Sequence, residues 1–475
     1  MNCTTEKQAL VDHFDSIAGE RRKWYEKAQF FHKEDERYLQ FLIPPKSSVL
    51  EIGCGNGDTL AALDPMRGVG VDISSRMITE AQRLHPEFEF HVADAEDKSQ
   101  VDAIEGTFDF IVMVDTLGYA TDCQQLLENL HRFCRRDTRI VIAYYSHLWE
   151  PLLNLAEKLG LRQPQPNNNV LSSADIRALA QLANLDPIKS ENRLLSPVSL
   201  FGIGRLINRF VSTLPIIRLF ALRHYSVCRS LRASIVLQSA SVVIPARNER
   251  GNIEPLIRRL PRFCDHIEVI FIEGHSQDGT YEEMERVKNA YPNWDIKLMR
   301  QPGKGKADAV FAAFDAAFGE VLLILDADLT MPPEQLPKYW EALSSGQAEF
   351  VNGSRLIYPM DTGAMQFLNL IANRFFALMF SWLLNQRITD TLCGTKGLRK
   401  SDYIRIKENR SYFGDFDPFG DFDLIFGAAK LGLKNIDVPI RYAARTYGST
   451  QISRFTHGLL LIKMAAFAYL KIKAL

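Results

Sequence analysis

Two aspartates one residue apart, Asp326 and Asp328, end the run VLLILDADLT at 321–330. The five apolar residues before them read as a buried strand, and alternation with period two puts both carboxylates on one side of its end. Clustered carboxylates repel, and burial raises at least one pKa unless a cation lies between them. A divalent metal meets that need and commonly arrives with a substrate diphosphate. A turn built on Asp side chains explains one of the two more readily than both. A different chemistry is written at VLEIGCGNGD, 49–58. Gly53, Gly55 and Gly57 let a strand turn sharply and approach a ligand closely, and the helix that follows presents free N–H groups. Asp72 ends the next strand, roughly 20 residues on, where an acid accepts both hydroxyls of a ribose. Two sites of different chemistry imply two active sites.

The elements that must position these residues form two α/β halves. In the first, SVLEIG, GVGVDIS, FEFHVADA, FDFIVMVD and RIVIAYYS read as strands separated by helical stretches such as SSRMITEAQRLH. The pattern restarts at SVVIPARNE and continues through EVIFIEG, IKLMRQPG, EVLLILDAD and EFVNGSR. Strands alternating with helices imply parallel sheets. The expected division is a domain over 1–190, a basic, amphipathic helical connector over 191–239 and a second domain over 240–475, with the boundary near Leu237–Ala240.

The totals agree. A chain of 475 residues is too long for one ordinary core. Its 46% apolar and 24% charged residues describe a globular protein, and a net charge of −1 gives no reason to expect nucleic acid as a partner. The seven cysteines, at 3, 54, 123, 134, 228, 264 and 393, make no C-x-x-C pair. Neither a zinc site nor a disulfide framework is indicated, and a reducing, cytoplasmic compartment is expected. The polar N-terminus has no apolar signal core. No stretch offers about twenty uninterrupted apolar residues, so no transmembrane helix is expected. Three segments, 200–224, 365–384 and 455–475, mix bulky apolar residues with Arg, Lys or His. They read as amphipathic helices lying in a membrane interface, which places the protein peripherally at the cytoplasmic face of a membrane.

The spacing G-x-G-x-G resembles the class I S-adenosylmethionine-dependent methyltransferases over roughly residues 10–190. The resemblance implies a Rossmann-like domain that binds S-adenosylmethionine. Glu51, Gly53, Gly55 and Gly57 would hold the methionine end, Asp72 the ribose, and Asp94 and Ala95 the adenine. Asp115 and Tyr119 would face the substrate. Methyl transfer from a sulfonium mostly needs alignment, with a base only for a protonated acceptor. Tyr144, Tyr145 and His147 follow the fifth strand and are further candidates, His147 the weakest.

SVVIPARNERGNIEPLI (241–257), EGHSQDGT (273–280), PGKGKADAVFAAF (302–314) and LDADLT occur in the order and spacing of a family 2 glycosyltransferase. The resemblance implies a GT-A-type domain using a nucleotide-sugar donor and Mg²⁺ or Mn²⁺ on Asp326 and Asp328. Pro245, Asn248 and Glu249 would line the nucleotide pocket, and Lys304 would approach the donor. Glu273 would take the place of the first of two acids that relatives carry there; Gly274 stands at the second. NGSR (352–355), ITDTLCGTKGLRK (388–400) and the stretch 419–450 resemble the polyprenyl-phosphate branch, which includes dolichyl-phosphate mannosyltransferases. That resemblance implies a polyprenyl phosphate or glycan acceptor, with Arg355, Lys396 and Arg445 holding phosphates. Where relatives often carry a lysine after YG-x-S, this chain has Gln451. A phosphate acceptor is already ionised and needs no strong base; a hydroxyl would need an acid such as Asp390, Asp421 or Asp423. The sequence thus describes a bifunctional, membrane-peripheral transferase acting in one glycan pathway. Its rivals are a glycosyltransferase with a regulatory cofactor-binding domain and a non-enzymatic membrane adaptor.

Overall fold

The computed structural model describes residues 3–166, 168–233, 236–359, 367–412, 420–445, 447 and 454–475. They fall into two compact units, Met1–Ser234 with Lys473–Leu475, and Ile235–Ile472.

The first unit is built on β1 (Ser48–Ile52), β2 (Arg67–Asp72), β3 (Glu89–Val92), β4 (Phe108–Val114), β5 (Cys134–Tyr145), β6 (Leu185–Arg193) and β7 (Arg223–Ser230). Their order across the sheet is β3-β2-β1-β4-β5-β7-β6. The first five strands are parallel, while β7 runs antiparallel to both β5 and β6. Alternation sends Leu50 and Ile52 into one core and Val49 into the core on the opposite face. The parallel strands are those expected. The stretch 191–239, however, is not a helical connector, because it contributes β7 to this sheet, between β5 and the edge strand β6. In β7, Arg223, His224, Ser226, Arg229 and Ser230 are all buried. Each has a partner: Asp35, Ser173, Ser190, Asp186 and His131 respectively. Paired polar residues hide a buried strand from a hydropathy reading.

The segment 200–224 is also broken. Short turns at Leu200–Gly202, Ile203–Leu206, Ile207–Val211 and Ile217–Phe220 replace a single amphipathic helix. Residues Lys473–Leu475 complete this unit. The fully buried Lys473 donates to Glu191 Oε1 at 2.7 Å, and Arg193 donates to the Lys473 carbonyl at 2.6 Å. Burial would push the Glu191 carboxyl up, but Arg193 and Lys473 hold it down at about 2. Burial brings the Lys473 ammonium down to about 8.

The second unit is a mixed sheet of β8 (Ser239–Ala246), β9 (His266–Glu273), β10 (Asp295–Arg300), β11 (Val321–Ile324), β12 (Phe350–Ser354), β13 (Lys396–Arg399) and β14 (Asn435–Pro439). The order is β10-β9-β8-β11-β13-β12-β14, with β13 antiparallel to its neighbours β11 and β12. Val242, Ile244, Leu323 and Leu325 meet in its core. Strand β11 stops at Ile324, so Asp326 and Asp328 lie in the turn beyond it rather than on alternating strand positions. Among the described residues no helix is long and apolar enough to cross a membrane. Residues 365 and 366 of one amphipathic segment, and Gln451 in the YG-x-S stretch, lie outside the described residues.

Candidate active sites

In the first unit a cavity of about 620 Å³ opens where β1, β2 and β4 end. That size falls within the range of small-molecule sites. Gly53, Gly55 and Gly57 take left-handed φ of 73°, 54° and 80°, a turn that glycine makes without strain. A Cβ on Gly55 would lie 3.1 Å from the Arg21 guanidinium, which lines the same cavity. The helix after the turn, Asp58–Ala62, is only five residues long. The expected contribution of its N–H groups is therefore small, and the turn itself is the main device.

The expected cofactor residues surround this space. Glu51 is 2% exposed and its Oε2 has no hydrogen-bond partner. Burial pushes its carboxyl up to about 8, against the pull of Arg21. An orphaned buried carboxylate oxygen fits a ligand that brings an ammonium group. Asp72 accepts from Gly55 N at 2.8 Å and Ser74 N at 2.9 Å. It braces the glycine turn, and a carboxylate has further lone pairs to offer a ligand. Asp94 is bonded by Lys7 Nζ at 2.5 Å, and the Ala95 carbonyl accepts from Asn129 at 2.9 Å. All of these except Gly57 line the cavity.

Asp115 also lines the cavity, at a left-handed φ of 58° after β4. It accepts from Arg223, whose other nitrogens bond Asp35 at 2.9 and 3.2 Å. Burial raises the Asp115 carboxyl and Arg223 opposes the rise. Asp115 is therefore a pinned wall rather than an unencumbered base. Tyr119 donates to Gln165 at 2.6 Å and Tyr144 to Ser173 at 2.9 Å. Tyr145 and the exposed His147 complete the expected set at the cavity. Sequence reasoning missed Arg21, His32, Asp35 and Arg162, all of which line it. His32 stacks on Tyr25 at 4.3 Å, and burial lowers its imidazole to about 4, so it is neutral at pH 7. No motif marks these residues; Arg21, His32 and Asp35 precede the glycine turn by 18 residues or more.

In the second unit the two aspartates stand against separate cations. Lys306 Nζ lies 2.6 Å from Asp326 Oδ1, and Arg445 lies 2.6 Å from Asp328 Oδ2 and 3.0 Å from Glu249 Oε1. Burial would raise the Asp326 carboxyl; Lys306 beside it holds it below the ordinary carboxylate range. Asp328 Oδ1 also accepts from Thr330 N at 3.0 Å and Thr330 Oγ1 at 2.7 Å, so this acid does shape its own turn. Gly394 makes room for the first pair. A Cβ there would sit 2.2 Å from Asp326 Oδ2 and 2.3 Å from Lys306 Nζ. Lys306, not the exposed Lys304, is the lysine that reaches the aspartates. Its identity lay hidden in GKGK, where either lysine fits the motif.

Asn248 and Glu273 join one loop system at the ends of β8 and β9. Asn248 N donates to Ser276 Oγ at 3.0 Å, its Oδ1 accepts from Gln277 N at 2.9 Å, and Glu273 accepts from Ser276 N. Pro245 lies in β8 just before them. The remaining expected cations are committed internally. Arg355 forks onto Asp390 at 2.7 and 2.8 Å. Lys396 is fully buried, donates to the Cys393 carbonyl at 2.5 Å and lies 3.2 Å from Asp421. Asp423 pairs with Arg410 at 2.9 Å. Among the described residues no group of three or more His, Cys, Asp or Glu gathers to hold a metal. Asp326 and Asp328 supply two carboxylates, a number that suits Mg²⁺ when water and substrate phosphate complete its shell.

Comparison with known proteins agrees with this division. A methyltransferase domain family matches residues 24–190, and the glycosyl transferase family 2 matches residues 241–406. The dolichol-phosphate mannosyltransferase of Pyrococcus furiosus is 36% identical over 120 residues, 25% of this chain and 33% of that protein. The dolichol-phosphate mannosyltransferase of Saccharomyces cerevisiae is 38% identical over 109 residues, 22% of this chain and 40% of that protein. The chain thus spans a third to two fifths of the length of these relatives. Among solved structures, a SAM-dependent methyltransferase of Thermotoga maritima aligns over 46% of this chain and 99% of its own, at 16% identity and a TM-score of 0.36. The chain thus joins a segment that matches a methyltransferase domain family to one that matches glycosyl transferase family 2.

Proposed function

We propose that the second unit transfers a sugar from a nucleotide-sugar to a polyprenyl phosphate, with inversion, and that the first methylates an acceptor of the same pathway with S-adenosylmethionine. The observation carrying the first part is the turn that sets Asp326 against Lys306 and Asp328 against Arg445 at the carboxyl end of parallel strands. That end is where open α/β sheets bind ligands. A divalent cation on Asp326 and Asp328 would neutralise charge growing on the leaving nucleoside diphosphate. Lys306 and Arg445, released from their carboxylates, would turn to the phosphates, the forked guanidinium being the better suited.

An ionised acceptor is supported by what happens to the candidate bases. Asp390, Asp421 and Asp423 are each held by a cation, Arg355, Lys396 and Arg410. Asp390 and Asp423 are thereby not ready to take a proton from a hydroxyl, and Asp421, whose Oδ1 accepts no hydrogen bond, is the one base left among the three. A phosphate oxygen needs none: it forms the bond to the anomeric carbon as the bond to the nucleoside diphosphate breaks. The names of the relatives support the same acceptor class.

In the first unit the cofactor, when bound, supplies a methyl group on a sulfonium. Glu51 would hold its ammonium group, Asp72 its ribose and Asp94 its adenine. Asp115, fixed by Arg223, would shape the acceptor wall, and the neutral His32 would take a proton if the acceptor carries one. The linkage of the two activities rests on their presence in one chain.

The deciding experiment is sugar transfer from a panel of nucleotide-sugars with Mg²⁺ or Mn²⁺, with and without polyprenyl phosphate. The control is the full chain carrying Asp326→Ala and Asp328→Ala. Lipid-dependent transfer lost in the control is the expected result. Turnover indifferent to lipid moves the acceptor to a hydroxyl-bearing glycan. Binding of S-adenosylmethionine without methyl transfer to the lipid-linked product would favour a regulatory first domain.

A further inference from the structure

The segment from Ser196 to Phe220 is folded inside out. Three of its uncharged polar side chains are buried: Asn208 is 6% exposed, Ser212 0% and Thr213 1%. Asn208 acts as the internal peg. Its Oδ1 accepts from Leu195 N and Ser196 N at 3.0 and 2.8 Å, while its Nδ2 donates to the Ser196 carbonyl at 2.9 Å. The apolar side chains face outward instead. Ile203 and Leu206 are each 57% exposed, Ile216 is 74% exposed and Phe220 59%. At the tip, Leu200 and Phe201 adopt left-handed φ of 44° and 55°, and Phe201 is 108% exposed. Nothing among the described residues covers that ring. Trp149 Nε1 donates to the Phe220 carbonyl at 2.8 Å, which ties the helix Glu150–Lys158, with Leu152 and Leu155 exposed, to the same end of the unit.

In water an amphipathic element turns its apolar stripe inward. A contiguous apolar face pointing out marks a surface that works against another apolar medium. The charge pattern selects the medium. No acidic residue occurs between Glu191 and Glu249, and exposed among the apolar side chains are Arg205, whose Nε lies 3.5 Å from Glu34, and Arg209, whose Nε donates to the Ala474 carbonyl at 3.1 Å, while Arg218 is half-buried. Guanidinium groups around a bulky apolar tip match the boundary between anionic headgroups and acyl chains.

We infer that residues 198–220 of the methyltransferase unit are an anchor for an anionic bilayer, with Phe201 as the inserted tip. This extends the reading that the chain meets a lipid acceptor, and it assigns the docking to the methyltransferase unit rather than to the sugar-transfer unit.

The test is sedimentation of the full chain with sucrose-loaded vesicles of phosphatidylcholine alone and of phosphatidylcholine mixed with phosphatidylglycerol. Neither preparation contains polyprenyl phosphate. Binding to the mixed vesicles that weakens with salt is expected. Phe201→Ser with Leu206→Ser removes two outward side chains and lowers the partition coefficient about tenfold or more, with the thermal unfolding curve unchanged. Arg205→Gln with Arg209→Gln removes the preference for phosphatidylglycerol. Absence of vesicle binding, or binding equal in the serine variant and the parent, overturns the inference. So does a parent that self-associates and ignores vesicles while the serine variant is monomeric, because the face then covers a second copy. Sugar transfer to a short, water-soluble prenyl phosphate is measured separately, so a failed anchor and a failed acceptor assignment give different results.

Discussion

The two candidate sites balance charge in opposite ways. In the methyltransferase unit, Glu51 keeps a buried oxygen unpartnered beside an open cavity. In the glycosyltransferase unit, three acid–base pairs, Lys306–Asp326, Arg445–Asp328 and Arg355–Asp390, already satisfy one another. The first site is set up to be filled by a ligand that supplies the missing charge. The second must exchange internal partners for external ones, so an incoming diphosphate and cation compete with groups already in place. Unpaired buried charge costs more than paired charge, so the difference shows which contacts each ligand must bring.

The largest effect that sharpens this contrast comes from removing the exchanged acids. Asp326→Ala with Asp328→Ala should cut sugar transfer at least a hundredfold, on the scale of losing preorganised charge at a developing anion. Binding of S-adenosylmethionine, followed by calorimetry, should be unchanged. Next comes the fully buried Arg223, which serves Asp35 and Asp115 together. Arg223→Met should destabilise the first unit by about 3–5 kcal/mol, since it strands a buried carboxylate. A shift of the first unit's urea transition, with the second unit's unmoved, is the expected readout.

Glu51→Gln tests the open side of the contrast. The carboxyl titrates at about 8 in the folded chain against an ordinary 4.5, so between those values the folded state holds a proton that the unfolded state lacks. Stability contributed by this group falls as pH rises through that window, and the glutamine variant should flatten the slope. Binding an ammonium-bearing cofactor at pH 7 should release a proton from Glu51. The variant should lose about tenfold in affinity together with that release, seen as calorimetric heats that no longer depend on the buffer. The smallest effect belongs to the two lysines of GKGK. Lys304→Ala should change sugar transfer by less than about twofold, as an exposed charge does, whereas Lys306→Ala should impair it severely. Equal losses would break the assignment of Lys306 as the lysine that Asp326 exchanges.

Much of this arrangement was legible in the chain, for reasons that differ by residue. The glycine turn and Asp72 could be found because short range fixes them: strand, turn and the next strand are consecutive. Strands β1–β5 and β8–β12 declared themselves through apolar runs. Strand β7 did not, because its buried Arg223, His224 and Arg229 are matched by partners from distant segments. For the same reason His32, Asp35 and Arg223 escaped notice, since Asp35 and Arg223 meet across 188 residues. The aspartates do lie at a charged turn, but the strand argument for their common direction fails. Strand β11 ends before them, and each acid faces its own cation.

The pairing of Lys473 with Glu191 spans 282 residues, and it bears on how the protein is made. A ribosome that has released β1–β7 has supplied every strand of the first sheet, yet Glu191 still lacks Lys473 until the whole glycosyltransferase unit has been synthesised. The first unit then remains unfinished throughout translation of the second. A cut at the inter-unit boundary would not yield two intact halves, so separate expression of a methyltransferase fragment ending near residue 234 removes a buried counter-ion along with the second enzyme.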